Sequence, residues 1–148
     1  MNDIDYMTLA LEQAQKSLAL REVPVGAVLV KQGEVIAQGY NQPISMNDPT
    51  AHAEVMALRQ AAKREQNYRL VDTTLYVTLE PCLMCFGALL HARVARVVFG
   101  AHDAKCGVLH AQDQLPDQWQ FNHRLTWEGG VLATACAELL KNFFKGKR

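Results

Sequence analysis

The chain has 148 residues, of which 49% are apolar and 20% charged, and its 15 basic side chains balance its 15 acidic ones. This composition is typical of one globular domain, covering residues 1–148, with its own apolar core. Without a long apolar run or a signal-peptide pattern, the sequence predicts a cytoplasmic protein that spans no membrane and keeps its thiols reduced. Because the formal net charge is zero, any nucleic-acid site must be a local patch.

Apolar spacing and turn residues predict helices and strands that alternate along the chain. The predicted elements are a helix over 4–20, hairpin strands over 25–30 and 34–40, helices over 50–65 and 82–92, strands over 73–79, 96–100 and 125–127, and a helix over 131–145. Segments 41–49 and 101–123 are predicted as loops. This order predicts an α/β fold with helices on both faces of a mixed sheet.

The spacing also predicts which side chains are buried. On the first helix these are Ile4, Met7, Leu11, Ala14 and Leu18; on the second Val55, Leu58 and Ala62; on the last Leu132, Ala135, Leu139, Leu140 and Phe143. We expect Asp48 or Thr50 to cap the second helix. Gly26 interrupts a strand pattern, and we interpret it as a bulge or packing site in preference to a ligand contact.

Two short segments carry side chains suited to one metal ion: TAHAE at 50–54 and EPCLMC at 80–85. Cys82 and Cys85 are three residues apart on a predicted helix, so their sulfur atoms share a face, and His52 adds a third ligand. Each segment begins a predicted helix, whose partial positive charge favours thiolate. Three ligands with an open position are typical of catalytic zinc.

Glu54 lies two residues from His52 and is available as a carboxylate that does not bind the metal. Zinc lowers the pKa of a bound water from about 16 to about 7. A neighbouring carboxylate can take the proton of that water and return it to a leaving amine. Together these groups predict hydrolytic deamination.

Each motif has a simpler interpretation when taken alone. A Cys-x-x-Cys pair can be redox active or buried, and His-x-Glu occurs by chance on many helices; their combination favours zinc. A structural zinc would need a fourth ligand, and Cys106, His110 and His123 lie in a predicted loop without metal-type spacing. We interpret Cys106 as a bystander or packing residue and Cys136 as a core residue.

The pattern His-x-Glu followed by Pro-Cys-x-x-Cys is that of zinc-dependent nucleobase deaminases. The segments around it resemble the tRNA-specific adenosine deaminase family of the cytidine deaminase-like superfamily. The resemblance is carried by EVPVGAV at 22–28, NQPI at 41–44, DPTAHAE at 48–54, NYRL at 67–70, LYVTLEPC at 75–82, VVFGA at 97–101 and NHR at 122–124. Segment 106–121 departs from the family pattern.

The resemblance implies a cytidine deaminase-like fold, with five strands between two helical layers, and a homodimer that binds the tRNA anticodon stem-loop through both subunits. It implies conversion of the wobble adenosine to inosine, with one zinc per subunit held by His52, Cys82 and Cys85, and with Glu54 as proton shuttle. Asn41 matches the residue that binds the flipped base, and the alternative is a turn residue before a proline.

Three further matches, Asp103, Lys105 and Asn122, lie in loops that the resemblance places near the substrate. The basic end of the last helix is also a candidate RNA contact, through Lys141, Lys145, Lys147 and Arg148, with Phe143 or Phe144 stacking on a base. The alternative is a solvated helix end with aromatic side chains in the core.

Two other functions compete with this one. The first is deamination of a free base or nucleotide such as guanine, cytosine or deoxycytidylate at the same zinc site. The second is a catalytically silent zinc module that binds RNA, and the presence of Glu54 argues against it.

Overall fold

The computed structural model describes residues 1–109, 121 and 123–147, and in it five strands form one sheet. The strands are β1 (Gly26–Lys31), β2 (Glu34–Tyr40), β3 (Thr73–Leu79), β4 (Arg96–Ala101) and β5 (Thr126–Glu128). The helices are α1 (Asp3–Ala19), α2 (Pro43–Met46), α3 (Ala53–Glu65), α4 (Leu83–Ala92) and α5 (Ala133–Lys145). The sheet order is β2-β1-β3-β4-β5, in which the β1 pairs are antiparallel and the β3–β4 and β4–β5 pairs are parallel.

Apolar side chains cover both faces of this sheet. One core cluster joins α3 and α4 to the sheet through residues such as Ala57, Phe86 and Val97. A second cluster joins α1 and α5 to the opposite face through Met7 and Cys136. The predicted three-layer α/β/α arrangement with a mixed sheet is therefore confirmed.

Two glycines let helices approach the hairpin closely. A Cβ atom on Gly26 would collide with the backbone of α1 at Ala10 and Ala14. A Cβ atom on Gly39 would collide with the backbone of α3 at Ala53. The interpretation of Gly26 as a packing site is confirmed, since only a residue without a side chain fits beneath the helix.

The buried face of α1 is rotated by roughly a quarter turn from the predicted stripe. Met7 is fully buried, but Ile4 is 55% exposed, so its predicted burial is wrong. The face against the sheet includes the polar side chains Gln13 and Ser17, which hydropathy does not count as core. Gln13 Nε2 donates to Gln38 Oε1 at 3.0 Å and Ser17 Oγ to the Val25 carbonyl at 3.4 Å, so both are satisfied inside the fold.

The last helix also departs from its predicted face. Cys136 is buried, as predicted for a core residue, whereas Ala135 is exposed. Leu132 and Leu140 are partly buried against the two core clusters.

The segment predicted as a loop at 41–49 contains the short helix α2. Pro43 occupies the first turn, where its missing N–H costs nothing. The buried carboxylate of Glu22 accepts hydrogen bonds from the N–H groups of Ile44 at 2.6 Å and Ser45 at 3.1 Å. Burial raises the pKa of Glu22, but the hydrogen bonds from Ser45 and Ile44 outweigh it and hold that pKa below its ordinary value.

Helix α3 begins three residues later than predicted, because its N-cap is His52. The Asp48 carboxylate accepts from the Thr50 N–H at 2.8 Å and from the Thr50 hydroxyl at 2.7 Å. These bonds close a turn ahead of the helix, so the prediction that either residue caps it is wrong.

Strand β2 is an edge of the sheet, and α3 lies alongside it. Gln60 Oε1 accepts from the Gln38 N–H at 2.8 Å, and Arg64 donates to the Ile36 carbonyl at 3.4 Å and to Glu34 at 2.8 Å. Within the part of the chain that the structure describes, no helix is long and apolar enough to cross a membrane.

Candidate metal centre and adjoining cavity

The predicted metal ligands lie at the first turns of two neighbouring helices. His52 is the N-cap of α3 and Cys82 the N-cap of α4, and neither side chain makes a capping hydrogen bond. Cys85 lies in the first turn of α4 and is fully buried. Since their side chains do not cap the helices, His52 and Cys82 are free to face a common point.

The three ligand atoms are gathered closely enough to hold one ion. His52 Nδ1 is 3.5 Å from Cys85 Sγ and 3.7 Å from Cys82 Sγ. Tetrahedral zinc, with ordinary Zn–S and Zn–N bond lengths, requires an S···N separation of about 3.6 Å. In residues 1–109, 121 and 123–147 these three side chains are the group that meets the geometric conditions for metal binding, and their chemistry fits zinc.

Hydrogen bonding already favours a thiolate in this group. The bond from the Cys85 thiol, supported by one from His52, lowers the pKa of Cys82 to about 3. The same bond to Cys82, together with burial, raises the pKa of Cys85, and the bond to Cys82 raises the pKa of His52. Metal binding by all three groups must therefore release protons.

Glu54 projects from the first turn of α3 and is 4% exposed. Burial raises its pKa above the ordinary value for a carboxyl group. A carboxyl group of raised pKa, next to a metal centre, is suited to accept a proton and return it near neutral pH. This placement supports the predicted role of Glu54.

A cavity of about 370 Å³ adjoins the metal ligands, a volume within the range of small-ligand sites. Its lining combines apolar walls with polar groups from five segments of the chain: Val23, Val25, Asn41, Pro43, His52, Glu54, Leu79, Glu80, Cys82, Asp103 and Cys106. The cavity thus has apolar sides that can cover a flat ring and polar groups that can orient it.

The predicted substrate residues are not all at this cavity. Asn41 lines it, held by its side-chain amide donating to the Val23 carbonyl at 3.2 Å and by its N–H donating to the Val25 carbonyl at 3.0 Å. Asp103 lines it as well. Lys105 is exposed and is not a lining residue, and Asn122 lies outside the described residues.

The other predicted cysteine and histidine positions have separate places. Cys136 is 1% exposed and lies in the core, as predicted. Cys106 was interpreted as a bystander or packing residue; it is exposed and lines the cavity, so it is not a packing residue. His123 Nε2 is 2.8 Å from the Val94 carbonyl and belongs to no metal group of the described chain. His110 lies outside the described residues.

Several lining residues were not predicted from the sequence. Val23, Val25 and Pro43 form walls, and Glu80, the first residue of the 80–85 segment, also lines the cavity. For Glu80 the sequence did contain a signal, namely an acidic residue directly before Pro-Cys. Glutamate is almost never fully buried unless it has a partner, so this position suggests a specific role. For the walls, sequence periodicity gives no signal.

Comparison with known proteins places the chain in a family. The family model described as the cytidine and deoxycytidylate deaminase zinc-binding region matches residues 1–101. A tRNA-specific adenosine deaminase from Haemophilus influenzae is 51% identical over 147 residues, which cover 99% of this chain and 85% of the relative. The chain belongs to the tRNA-specific adenosine deaminase family.

Solved structures of deaminases share the fold of this chain. A structure from a study of A-to-I editing by tRNA:A34 deaminases at the wobble position of transfer RNA is similar with a TM-score of 0.86 and 38% identity, covering 92% of this chain and 99% of that one. A guanine deaminase from Bacillus subtilis is similar with a TM-score of 0.68 and 39% identity, covering 80% of this chain and 73% of that one.

Proposed function

We propose that this chain hydrolyses the wobble adenosine of a tRNA anticodon loop to inosine, using a zinc ion held by His52, Cys82 and Cys85. The observation that carries the proposal is the convergence of this ligand group and Glu54 on one cavity of nucleobase size. The choice of tRNA adenosine follows from the family, whose member from Haemophilus influenzae is similar over almost the whole chain.

The reaction adds water to C6 of adenine and releases ammonia. Zinc, when bound, supplies Lewis-acid activation of the attacking water. Glu54 accepts the first proton that the water loses and delivers it to the ring nitrogen N1. It then takes the second proton from the hydroxyl group added at C6 and passes it to the amino group, so that ammonia leaves as the C6 carbonyl forms. Its burial keeps that proton from exchanging with bulk solvent during the reaction.

Orientation of the base comes from the cavity lining. Val23 and Val25 offer apolar surface for the ring faces, while Asn41 and Asp103 offer hydrogen-bonding groups at its edges. Asn41 is fixed by its own hydrogen bonds to the backbone, so it binds substrate without first having to be ordered.

The part of the RNA that lies outside the cavity contacts basic side chains and loops. Lys105 is exposed near the cavity, and Lys141, Lys145 and Lys147 are exposed at the end of α5. Phe144 is 51% exposed and is the better candidate for stacking on a base, because Lys147 Nζ already lies 5.2 Å from the ring of Phe143. Asn122 and Arg148, outside the described residues, complete the predicted contacts.

We further propose that two copies associate through α3 and α4, with one zinc ion in each. Leu83 is 52% and Met84 38% exposed on the first turn of α4. Beside them lies a cavity of about 270 Å³ between the two helices, lined largely by apolar side chains including Val55 and Ala88. Exposed apolar surface of this kind is typical of an interface between proteins.

We also propose that residues 1–148 act as one deaminase domain in the cytoplasm, where tRNA substrates reside. The single sheet, which packs against α1, α3, α4 and α5, supports one domain. Four free cysteines, none in a disulfide, suit a reducing compartment.

One assay tests the substrate. The zinc-loaded protein is incubated with an anticodon stem-loop carrying adenosine at the wobble position, with the same hairpin carrying guanosine there, and with free guanine and cytidine. We expect deamination of the first hairpin alone, with its wobble adenosine converted to inosine and the other three substrates unchanged. Because a guanine deaminase is among the similar structures, rapid turnover of free guanine with an untouched hairpin would replace this proposal by the free-base alternative.

A further inference from the structure

Glu80 is a buried carboxylate that the reaction described above does not use. Its side chain is 0% exposed, and it lies two residues before the metal ligand Cys82 without belonging to the ligand group. Its Oε1 accepts a hydrogen bond from the N–H of Asp103 at 3.1 Å, and His102 Nδ1 lies 3.4 Å from the same oxygen. The carboxylate therefore connects the metal segment to residues 102–107, which we call the 102–107 turn.

Asp103 organises this turn from within. Its Oδ1 accepts from the N–H groups of Lys105 and Cys106, both at 3.1 Å, and its carbonyl accepts from the Gly107 N–H at 2.9 Å. The turn is thus one hydrogen-bonded unit, and Glu80 holds that unit at the backbone of Asp103. Asp103 also lines the cavity, so loss of its hydrogen bond to Glu80 would shift its side chain there.

Gly107, at the end of the 102–107 turn, packs directly against the Glu80 carboxyl group. A Cβ atom there would collide with the Glu80 carboxyl group and with the Asp103 carbonyl. Gly107 also pairs with Cys82 in an isolated antiparallel bridge, and the N–H of Val108 donates to the Pro81 carbonyl at 3.2 Å. The chain therefore wraps closely around the carboxylate and is bonded to the metal segment on both sides of it.

A buried carboxylate is costly unless hydrogen bonds compensate for its lost hydration. An apolar side chain would fill the same space without that cost, but it would not bind the Asp103 N–H. The hydrogen bond from the Asp103 N–H thus stabilises the buried carboxylate, and the same bond holds the 102–107 turn in place.

We propose that Glu80 is a positioning residue, which holds Asp103 at the nucleobase cavity and thereby sets how tightly the substrate nucleotide binds. The inference rests on the proposed function, because Asp103 is there assigned to substrate. Because the buried Glu80 side chain acts through its bond to the Asp103 N–H, we expect its loss to change KM more than kcat.

The first test is Glu80→Ala, assayed with the anticodon hairpin after its zinc content has been measured. We expect KM to rise at least about tenfold, the effect of losing one hydrogen bond to a charged group, with a smaller change in kcat. Glu80→Gln keeps the volume and one accepting oxygen, and we expect it to restore most of the affinity. The control Gln13→Ala removes a buried polar side chain on the opposite face of the sheet and should leave KM unchanged.

A double-mutant cycle separates positioning from general destabilisation. If Glu80 acts through the 102–107 turn, Glu80→Ala should have little further effect on KM in a chain that already carries Asp103→Ala. Additive effects of the two changes, or a zinc-loaded Glu80→Ala protein with the KM of the wild type, would overturn the inference.

Gly107→Ala provides a second route if Glu80→Ala does not fold or does not hold zinc. Its added methyl group presses on the same carboxylate, so KM for the hairpin should rise here too, and an unchanged KM would count against the inference. The wild type reports on the proposed function separately: if it leaves the hairpin unmodified, the substrate assignment fails before Glu80 is considered.

Discussion

His52 occupies a helix position at which Ser, Thr, Asp and Asn are strongly preferred, because their oxygens bind the free N–H groups of the first turn. An imidazole that makes no capping bond gives up a stabilisation of about 1 kcal/mol. The same is true of Cys82 at the start of α4. Both helices are therefore capped suboptimally at the residues that face the metal centre.

Replacing Glu54 separates metal binding from chemistry. We expect Glu54→Ala to retain its zinc and to lose about 10²- to 10⁴-fold in turnover, the usual contribution of general acid–base catalysis. Metal analysis of the purified variant and single-turnover formation of inosine check the two parts. The matched variant His52→Ala should instead lose the zinc, and wild-type turnover in zinc-loaded Glu54→Ala would remove the proton-shuttle assignment.

Zinc affinity should fall as the pH is lowered from about 8 to about 6, because the ligands must lose their protons before they bind metal. The raised pKa of Cys85 keeps its thiol protonated in the absence of metal, and the raised pKa of His52 favours the protonated imidazole. Calorimetric titration of the metal-free protein in two buffers of different ionisation enthalpy measures the protons released. An affinity that does not change with pH would contradict the ligand set.

Short-range spacing explains why the centre of the site was predictable and its walls were not. His52 and Glu54 are neighbours in the chain, as are Cys82 and Cys85, so their types and spacing indicate their chemistry. Glu80 is partnered by Asp103 through a bond that spans 23 positions of the chain, which no local pattern reveals.

At the scale of the element, alanine and glycine determine how closely the helices lie on the sheet. Helix α3 was predicted to bury a face with Val55, Leu58 and Ala62, but Val55 and Ala62 line the groove beside α4. The residues against the sheet include Ala53, Ala57 and Ala61, all fully buried. Leu58 is buried in the core as predicted, so the predicted face is displaced toward the groove and not wholly wrong. Hydropathy gives alanine little weight, whereas close contact across Gly39 requires small side chains, so the pattern did not indicate the alanine face.

Gly39→Ala should lower the free energy of unfolding by about 1–3 kcal/mol, the usual cost of forcing a methyl group into a packed interface. The added Cβ would meet the backbone of α3, which cannot move aside as a flexible side chain can. Urea unfolding measures the difference.

The matched control for that change is Gly87→Ala, in the interior of α4, where no atom lies within 4 Å of the added Cβ. We expect it to be neutral or to stabilise the helix by up to about 1 kcal/mol. Equal destabilisation by the two alanines would show that contact beneath α3 is not the cause.

At the scale of the whole molecule, one ionic group ties the N-terminus of α1 to three strands. The Asp3 carboxylate accepts from the Tyr76 hydroxyl at 2.7 Å and from Arg96 at 2.9 Å, and Arg96 also bonds Glu128 at 2.8 Å. The hydrogen bond from Arg96 holds the pKa of Asp3 below its ordinary value. The ionised form of Asp3 therefore stabilises the fold.

Asp3→Asn should lower the free energy of unfolding by about 1 kcal/mol at neutral pH, a modest value because solvent screens these partly exposed groups. The difference in free energy of unfolding between the wild type and Asp3→Asn should be fully present above the ordinary carboxyl pKa of 3.8. It should be lost as the pH falls through the lower pKa that Asp3 has in the folded state. Unfolding curves recorded across this range test it. A difference that persists under strongly acidic conditions would mean that the charge of Asp3 is not its source.

Association of two copies can be tested at the groove between α3 and α4. Ala88→Glu places a carboxylate in this apolar surface, and we expect the dimer to weaken at least about tenfold. Light scattering coupled to size exclusion measures the change. Ala135→Glu adds the same charge at an exposed position of α5 and should leave the mass unchanged; an equal effect of both would remove this face as the interface.

The contacts of α3 with strand β2 bear on how the protein avoids aggregation through the edge of its sheet. An uncovered edge strand offers its N–H and carbonyl groups to the edge of another copy, and sheets then grow without limit into fibrils. Here Gln60 and Arg64 occupy such groups at Gln38 and Ile36. These contacts leave fewer N–H and carbonyl groups on β2 for the edge strand of another copy to bind.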